Sequence, residues 1–485
     1  MSAFFPPRLL ARLIQYSNRA TVPLHMPGHK RNTAAAPYLA PLGGGFDITE
    51  IHGFDNLHQP EGILKQSMEQ AARLWGSDQA YFLVGGSTCG ILAGIHAATQ
   101  WGDSVLVARN CHQSVYHAIA LCGLTPHYLL PAMDDTFGIC CSLTPDQVAR
   151  GLEAHPDVSL VILTSPTYDG VLSDIKAICQ IAHARNIPVL VDEAHGAHLG
   201  FAPDFPGSAV SGGADLVIQS LHKTLPSLTQ TALAHQNGTR IPPRIFAQSL
   251  RIFETSSPSY LLMASIDECV HLLATDSTLF SKWSCALEQF HRDILSLRHF
   301  RVLRYGVDRT AEHPGLFQWD PGKLLISTID TPYTGPQLME TLRMEFDIEL
   351  EMASSHSALA MTGLCTTQAH LSRLSAALRT LDENCCQAVA KPSPRLSALC
   401  LPAQAMNPNA TQNIPQHFVP LAQAVGRITG ESLWAYPPGI PLLIPGEVLC
   451  PALLEQISEM QACGVTVHST FGGAPETLSV LDTNA

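Results

Sequence analysis

An α/β fold, with a mostly parallel seven-stranded sheet and smaller α+β C-terminal domains, is predicted by three features of the sequence. Short apolar runs at 81–84, 105–108, 127–130, 160–163, 189–191, 216–218 and 231–234 read as strands. Helix-length segments at 88–101, 113–121 and 173–185 separate several of them, the alternation expected of a parallel sheet covered on both faces. The length of 485 residues and the 46% hydrophobic content suit two or three domains, since one core does not grow to this size.

Taken in order, residues 1–60 are punctuated by Pro23, Pro27, Gly28, Gly43, Gly44 and Gly45, and little amphipathic periodicity survives after Arg19. This stretch is expected to be an unstructured arm that needs another surface on which to order, not a domain. Leu64, Met68, Ala71, Ala72 and Trp75 then recur at helical spacing up to Gly76, which predicts a helix laying one apolar stripe on a core. With the seven strands they define a large domain over 61–300. From 301 the pattern turns α+β, with strand candidates at 324–329 and 348–351 and a helical run at 367–381, giving a small domain over 301–390. The stretch 392–415, rich in Pro, Asn, Ala and Gln, reads as a linker, and 418–470 as a compact tail module, so that 391–485 form the last unit. There is no internal repeat.

The formal net charge of −13, from 28 basic and 41 acidic residues, argues against a nucleic-acid footprint and is compatible with a cationic substrate. The 14 cysteines form no regular ladder, and the pairs Cys140-Cys141 and Cys385-Cys386 are adjacent, not C-x-x-C, so a zinc site is not expected. Reduced thiols packed as small core residues of a cytoplasmic protein are the expectation. Residues 1–10 include Pro6, Pro7 and Arg8 and lack a basic leader followed by a small-residue cleavage site. No apolar run approaches the roughly 20 residues that span a bilayer. Neither a membrane nor a nucleic acid is expected as a partner.

Ser220-Leu221-His222-Lys223-Thr224 sets an amine among phosphate-binding groups, downstream of Asp192. That pairing is what a pyridoxal 5'-phosphate (PLP) enzyme needs: a lysine ε-amine forms a Schiff base with the aldehyde, and a buried carboxylate keeps the pyridine nitrogen protonated as an electron sink. Asp192 ends an apolar strand, in the crevice where α/β sheets bind ligands; helix capping is its alternative role. Asp192-Glu193-Ala194-His195-Gly196-Ala197-His198 brings two imidazoles to the same strand end, His195 as a neighbour of the cofactor ring and His198 as a structural or solvent-facing residue. Gly85-Gly86-Ser87-Thr88-Cys89-Gly90 follows a strand and opens a helix, where free N–H groups and the hydroxyls of Ser87 and Thr88 can hold a phosphate. Taken alone it reads as a tight turn with Ser87 as helix cap, but Ser220 and His222 add further donors beside Lys223. His112, at a strand-to-helix junction, is either a polar loop residue or an imidazole stacked on the ring and able to donate a proton. Thr164-Ser165-Pro166-Thr167-Tyr168 likewise offers Thr167 either to the PLP 3'-oxygen or to a turn.

In chain order and local wording these residues resemble the ornithine/lysine/arginine decarboxylases, fold-type I PLP enzymes of aminotransferase-like architecture. The resemblance runs through His25-Met26-Pro27-Gly28-His29-Lys30, Asp47-Ile48-Thr49-Glu50, Asp55-Asn56-Leu57-His58, Gly86-Ser87-Thr88, Asn110-Cys111-His112, Ser165-Pro166-Thr167-Tyr168, Asp192-Glu193-Ala194-His195 and Ser220-Leu221-His222-Lys223-Thr224-Leu225. Downstream, Tyr436-Pro437-Pro438-Gly439-Ile440-Pro441 and Pro445-Gly446-Glu447 resemble the family's C-terminal signature. The resemblance implies Lys223 as the Schiff-base lysine, Asp192 as the pyridinium partner, His112 as the stacked histidine, and Ser87, Thr88, Ser220 and His222 as phosphate ligands. It also implies that Thr255 and Ser256, in Thr255-Ser256-Ser257-Pro258-Ser259-Tyr260, reach the phosphate of a neighbouring subunit. The chain looks like the compact type, without an N-terminal wing. His195 stands where many ornithine and lysine enzymes carry tryptophan, which leans toward an arginine-type pocket.

The expected activity is PLP-dependent decarboxylation of a basic amino acid to a polyamine-pathway amine and carbon dioxide, with arginine favoured and lysine or ornithine as alternatives. His112 or Lys223 would reprotonate Cα. Glu351, Glu447 and Asp55 are the candidates for the substrate's distal cation, each with a solvated-surface alternative because an unpaired carboxylate is costly to bury; Glu447, among prolines, also suits a structural turn. An aminotransferase, an aldol-cleaving lyase or a catalytically silent PLP-binding partner are the rival readings, since fold and cofactor do not fix a reaction. Arg343 and Arg373 stand in no motif for the α-carboxylate clamp of an aminotransferase. A homodimer or higher homo-oligomer is expected.

Overall fold

The computed structural model describes residues 8–134, 137–303, 315–385, 400–436, 439–471 and 475–482. After helices α1 (Leu9–Ser17) and α2 (Ile63–Trp75), strands and helices alternate: β1 (Gln79–Leu83), α3 (Gly86–Ala98), β2 (Ser104–Ala108), α4 (Gln113–Leu121), β3 (Thr125–Leu129), α5 (Pro145–Ala154), β4 (Val158–Thr164), α6 (Ile175–His183), β5 (Val189–Asp192), β6 (Leu216–Ser220), the single-turn α7 (Leu221–Thr224) and β7 (Ala232–Gln236). They form one seven-stranded sheet in the order β1-β7-β6-β5-β4-β2-β3. The strands from β3 to β6 run parallel, and β7 is antiparallel to both its neighbours. Every residue of β2, β5, β6 and β7 is buried. Two-sided burial is why these strands read as continuous apolar runs in the sequence.

The arm departs from expectation. Helix α1 buries Leu9 and Leu13 completely in the core of its own chain, each contributing about 2 kcal/mol of apolar burial. Asp267, on α9 (Tyr260–Thr275), accepts the Leu9 N–H at 2.7 Å and ties the helix start to the large domain. Ile48, Phe54 and Leu57 join the same core. The arm is therefore ordered on its own subunit; Ile48, Phe54 and Leu57 are spaced by turns, so no periodicity announced them.

Between them, α8 (Pro243–Phe253), α9 and α10 (Thr278–Asp293) lead to the small sheet. Its main strands are β8 (Lys323–Ser327) and β9 (Ser357–Met361), paired antiparallel and backed by α11 (Gly335–Phe346) and α12 (Gln368–Cys385). The strand expected at 348–351 is displaced: the ladder takes only Met352–Ala353, because Asp347 at φ 54° ends α11 in a left-handed turn and the intervening residues make the reversal. A further short ladder, Gln318–Trp319 on Val171–Leu172, laces the small domain to the loop after β4.

Residues 400–415 are not a loose linker: Pro408 and Thr411 are buried, and Val448 N–H bonds to Ala403 O at 2.9 Å. The rest of the expected linker, 392–399, lies outside the described residues, as do Pro437 and Pro438. The tail module extends past its expected limit, since strand Thr477–Leu481 pairs with Gln416–Pro420. Among the described residues, no helix is long and apolar enough to cross a membrane.

Candidate active site

Neighbouring parallel strands end together along one crest of the large sheet. Thr164 is registered opposite Asp192, and Asp192 opposite Ile218, so the Asp192 carboxylate emerges between β4 and β6 while α7 lifts Lys223 directly from the end of β6. Asp192 is buried, and its Oδ1 accepts the Ala194 N–H at 3.1 Å. The small domain holds α7 from the other side: Leu364 N–H donates to Thr224 O at 2.9 Å. A Cβ on Gly363 would meet that same oxygen at 2.9 Å, so glycine is what allows the approach.

Ser87 lies at the start of α3, and the Ser220 hydroxyl donates to its Oγ at 3.1 Å, which unites the two phosphate-binding segments. Ser87 is not the helix cap: the N-cap of α3 is Gly85, with no side-chain cap at all, leaving the helix's first N–H groups and the exposed Thr88 hydroxyl open to an anion. His222 donates from Nδ1 to Thr231 O at 2.9 Å, which leaves Nε2 as its remaining polar atom. Glu254, which sequence reasoning missed, closes the far side of this turn, accepting the Val84 N–H at 3.3 Å and the Cys89 thiol at 3.2 Å. Burial raises its carboxyl pKa, which limits the charge it sets against an anion.

His112 is the N-cap of α4: its Nδ1 accepts from Ser114 N–H at 3.2 Å and from the Ser114 hydroxyl at 2.9 Å. Capping and a ring-facing role are compatible, because the cap uses Nδ1 and leaves the proton on Nε2. Burial lowers its pKa, Asp192 opposing and Lys223 and His117 adding to the effect. Lys223 is likewise lowered by burial, against the pull of Asp192 and Glu351.

The arrangement around His195 was not legible in the sequence. Its Nε2 lies 2.9 Å from Lys223 Nζ and its Nδ1 2.8 Å from Nζ of a second lysine, Lys323. Lys323 opens β8 with its side chain buried, 1% exposed, and its stem passes Gly170, where a Cβ would come within 2.8 Å. The Tyr168 ring packs on His195 with centroids 4.4 Å apart, and its hydroxyl donates to Glu351. Burial, then the charges of Lys223 and Lys323, hold His195 well below an ordinary histidine pKa, so the imidazole is neutral. His198 is buried and structural: it bonds Asp320 at 3.1 Å and packs against Trp283.

Other expected site residues are placed elsewhere. Glu447 is fully buried under the C-terminal module, paired with Arg109 at 3.0 Å and accepting the Ile444 N–H at 2.9 Å, so it is no substrate ligand but a fastening. Both Asp55 oxygens are taken by the backbone N–H groups of Asn56, Glu61, Gly62 and Leu64. Of the three carboxylates only Glu351 stands near Lys223. The Thr167 hydroxyl serves the turn, accepting the Val171 N–H at 3.1 Å, with its own proton left to donate. Thr255 and Ser256 are exposed on this subunit, outside its own crest. Arg343 pairs with Glu340 and Arg373 with the Phe346 carbonyl, both on the surface, and neither is a carboxylate clamp.

Comparison with known proteins accords with this geometry. The Orn/Lys/Arg decarboxylase major domain matches residues 6–325 and the Orn/Lys/Arg decarboxylase C-terminal domain matches residues 386–466. The chain is 31% identical over 479 residues to an arginine decarboxylase of Halalkalibacterium halodurans, covering 98% of this chain and 97% of that one. It is 32% identical over 465 residues to an arginine decarboxylase of Bacillus subtilis, covering 95% and 94%. The lysine decarboxylase LdcF of Francisella novicida shares the fold, with a TM-score of 0.83 at 20% identity over 99% of this chain and 81% of that one. With these two domain matches, the chain belongs to the Orn/Lys/Arg decarboxylase family.

Proposed function

We propose that the chain is a PLP-dependent decarboxylase acting on a basic amino acid, with arginine as the favoured substrate. The observation that carries this is the convergence on one crest of a buried amine, a buried carboxylate and an uncapped helix start. That donor set fits PLP: Lys223 Nζ for the aldehyde, Asp192 for the ring nitrogen, and Ser87, Thr88, Ser220, His222 and the open α3 amides for the phosphate. His112 would lie against the ring, beside His195. When bound, PLP supplies the electron sink that takes up the pair left as carbon dioxide departs.

The chain's own residues do the rest. Lys223, whose amine burial biases toward the uncharged form, would hold the cofactor by its aldehyde. Asp192 would hold a proton on the ring nitrogen. His112 Nε2 and Lys223 Nζ are the two groups positioned to return a proton to Cα. Glu351, at the mouth and bonded to Tyr168, is the carboxylate available to the substrate's distal cation. Arginine is favoured because relatives of 31% and 32% identity are named arginine decarboxylases, whereas the lysine decarboxylase LdcA of Pseudomonas aeruginosa is 24% identical. In this reading the protein works in the cytoplasm as a homodimer at least, with Thr255 and Ser256 reaching a partner's phosphate site, and produces an amine for polyamine synthesis.

The purified protein assayed in parallel with arginine, lysine and ornithine should release carbon dioxide fastest from arginine, with agmatine as the amine. A keto acid product in place of carbon dioxide would instead establish an aminotransferase.

A further inference from the structure

His195 is held between two amines. A neutral imidazole has one N–H and one bare nitrogen, so it can accept from one lysine and must donate to the other. An ammonium has three N–H groups and no lone pair, so the lysine that receives His195's proton has to be an uncharged amine. Lys323 cannot escape this constraint: it is enclosed, its amine also donates to Met361 Sδ at 3.1 Å and lies 5.6 Å over the Tyr168 ring, and Gly170 shapes the channel for its stem. Four carboxylates surround the pair of amines: Asp320, held by His198, and Asp169 beside Lys323; Asp192 beside Lys223; and Glu351 toward both. His112, His222 and Tyr168 are the remaining titratable neighbours: the two histidines interact with His195 and with Lys223, and the Tyr168 ring packs on His195 under the Lys323 amine.

We propose that Lys323 is a positioning residue of this site: by donating to Nδ1 it fixes His195 as the Nε2–H tautomer, whose single proton points at Lys223 Nζ and keeps that amine uncharged. This assignment rests on the reading of Lys223 as the cofactor-bearing amine. Three carboxylates, Asp320, Glu351 and Asp169, draw a proton toward Lys323, against two, Asp192 and Glu351, toward Lys223. Burial nonetheless brings Lys323 down to about 8, so its proton can be given up near neutral pH. When Lys223 needs a proton, Nε2–H passes to its Nζ while Lys323 Nζ–H passes to Nδ1. One proton moves from Lys323 to Lys223, the imidazole is regenerated as its other tautomer, and no further reactant is required.

Two measurements on the full-length chain stripped of cofactor test this. In the wild type, nitrogen NMR of His195 at pH 7 should find Nε2 protonated and Nδ1 bare. The rate at which an amine-reactive ester labels Lys223, followed against pH by peptide mass spectrometry, should shift upward by about one unit in Lys323→Met, where the neighbouring positive charge is gone. It should return to the wild-type profile in Lys323→Arg, which keeps a charged donor. A proton resident on Nδ1, or a labelling profile unchanged in folded Lys323→Met, overturns the proposal. If borohydride trapping instead puts PLP on another residue, it is the cofactor assignment that fails, since neither readout depends on bound PLP.

Discussion

Two regions of this molecule bury charge, and they do so to opposite ends. Beneath the C-terminal module, Arg109 and Glu447 are paired at 3.0 Å and sealed from solvent, with the guanidinium stacked on Tyr116 and Tyr128 at 5.4 and 5.1 Å. At the crest, Lys223 and Lys323 share one imidazole, each amine turned to a different ring nitrogen of His195. A charge matched by a partner of opposite sign fastens two domains. Two amines joined through one ambivalent ring, of which one gives up its charge, stay poised to trade protons.

The largest effect expected from breaking the crest is that of Lys223→Ala, which should abolish turnover in a carbon dioxide release assay while leaving the unfolding curve close to wild type. At the fastening the opposite holds. Glu447→Ala leaves Arg109 buried and unpaired and should cost about 3–5 kcal/mol in urea unfolding, whereas Glu447→Gln should leave the KM for arginine unchanged. Unaltered stability in Glu447→Ala would erase the distinction between the two regions.

Lys323→Met sharpens the comparison through pH. Burial lowers Lys323 from 10.5 to about 8, so the folded state carries the cost of an enclosed ammonium below pH 8, and that cost fades as pH rises toward the unfolded value. The variant should therefore be more stable than wild type at pH 7, by on the order of 2 kcal/mol, and thermal unfolding should find the gain shrinking between pH 8 and 10.5. A destabilised variant at pH 7 would make Lys323 a structural partner of Asp320. The smallest expected effect is that of Glu351→Gln, a rise in KM for arginine of about tenfold with kcat little changed, equivalent to about 1.4 kcal/mol.

Much of the crest was legible because its parts are local. Asp192, Lys223 and His112 each follow an apolar strand directly, and two-sided burial makes those strands visible as apolar runs. Glu447 and Asp55 misled for a shared reason: sequence marks a carboxylate but not what will neutralise it, and Arg109 or a ring of backbone N–H groups arrives only with the tertiary fold. Lys323 was missed because it comes from another domain. A lysine opening an otherwise apolar strand, Lys323-Leu324-Leu325-Ile326, was the available signal, and strand alternation alone does not tell an inward lysine from an edge one. The arm was underestimated because its anchor, Leu9 on Asp267, joins residues far apart in sequence.

The central claim is that Lys223 is the amine that holds PLP. Reduction of the PLP-loaded protein with borohydride, followed by peptide mapping, should place a phosphopyridoxyl group on Lys223 alone. Recovery of the label on Lys323 or any other lysine, or of no label from protein that still decarboxylates, would contradict it.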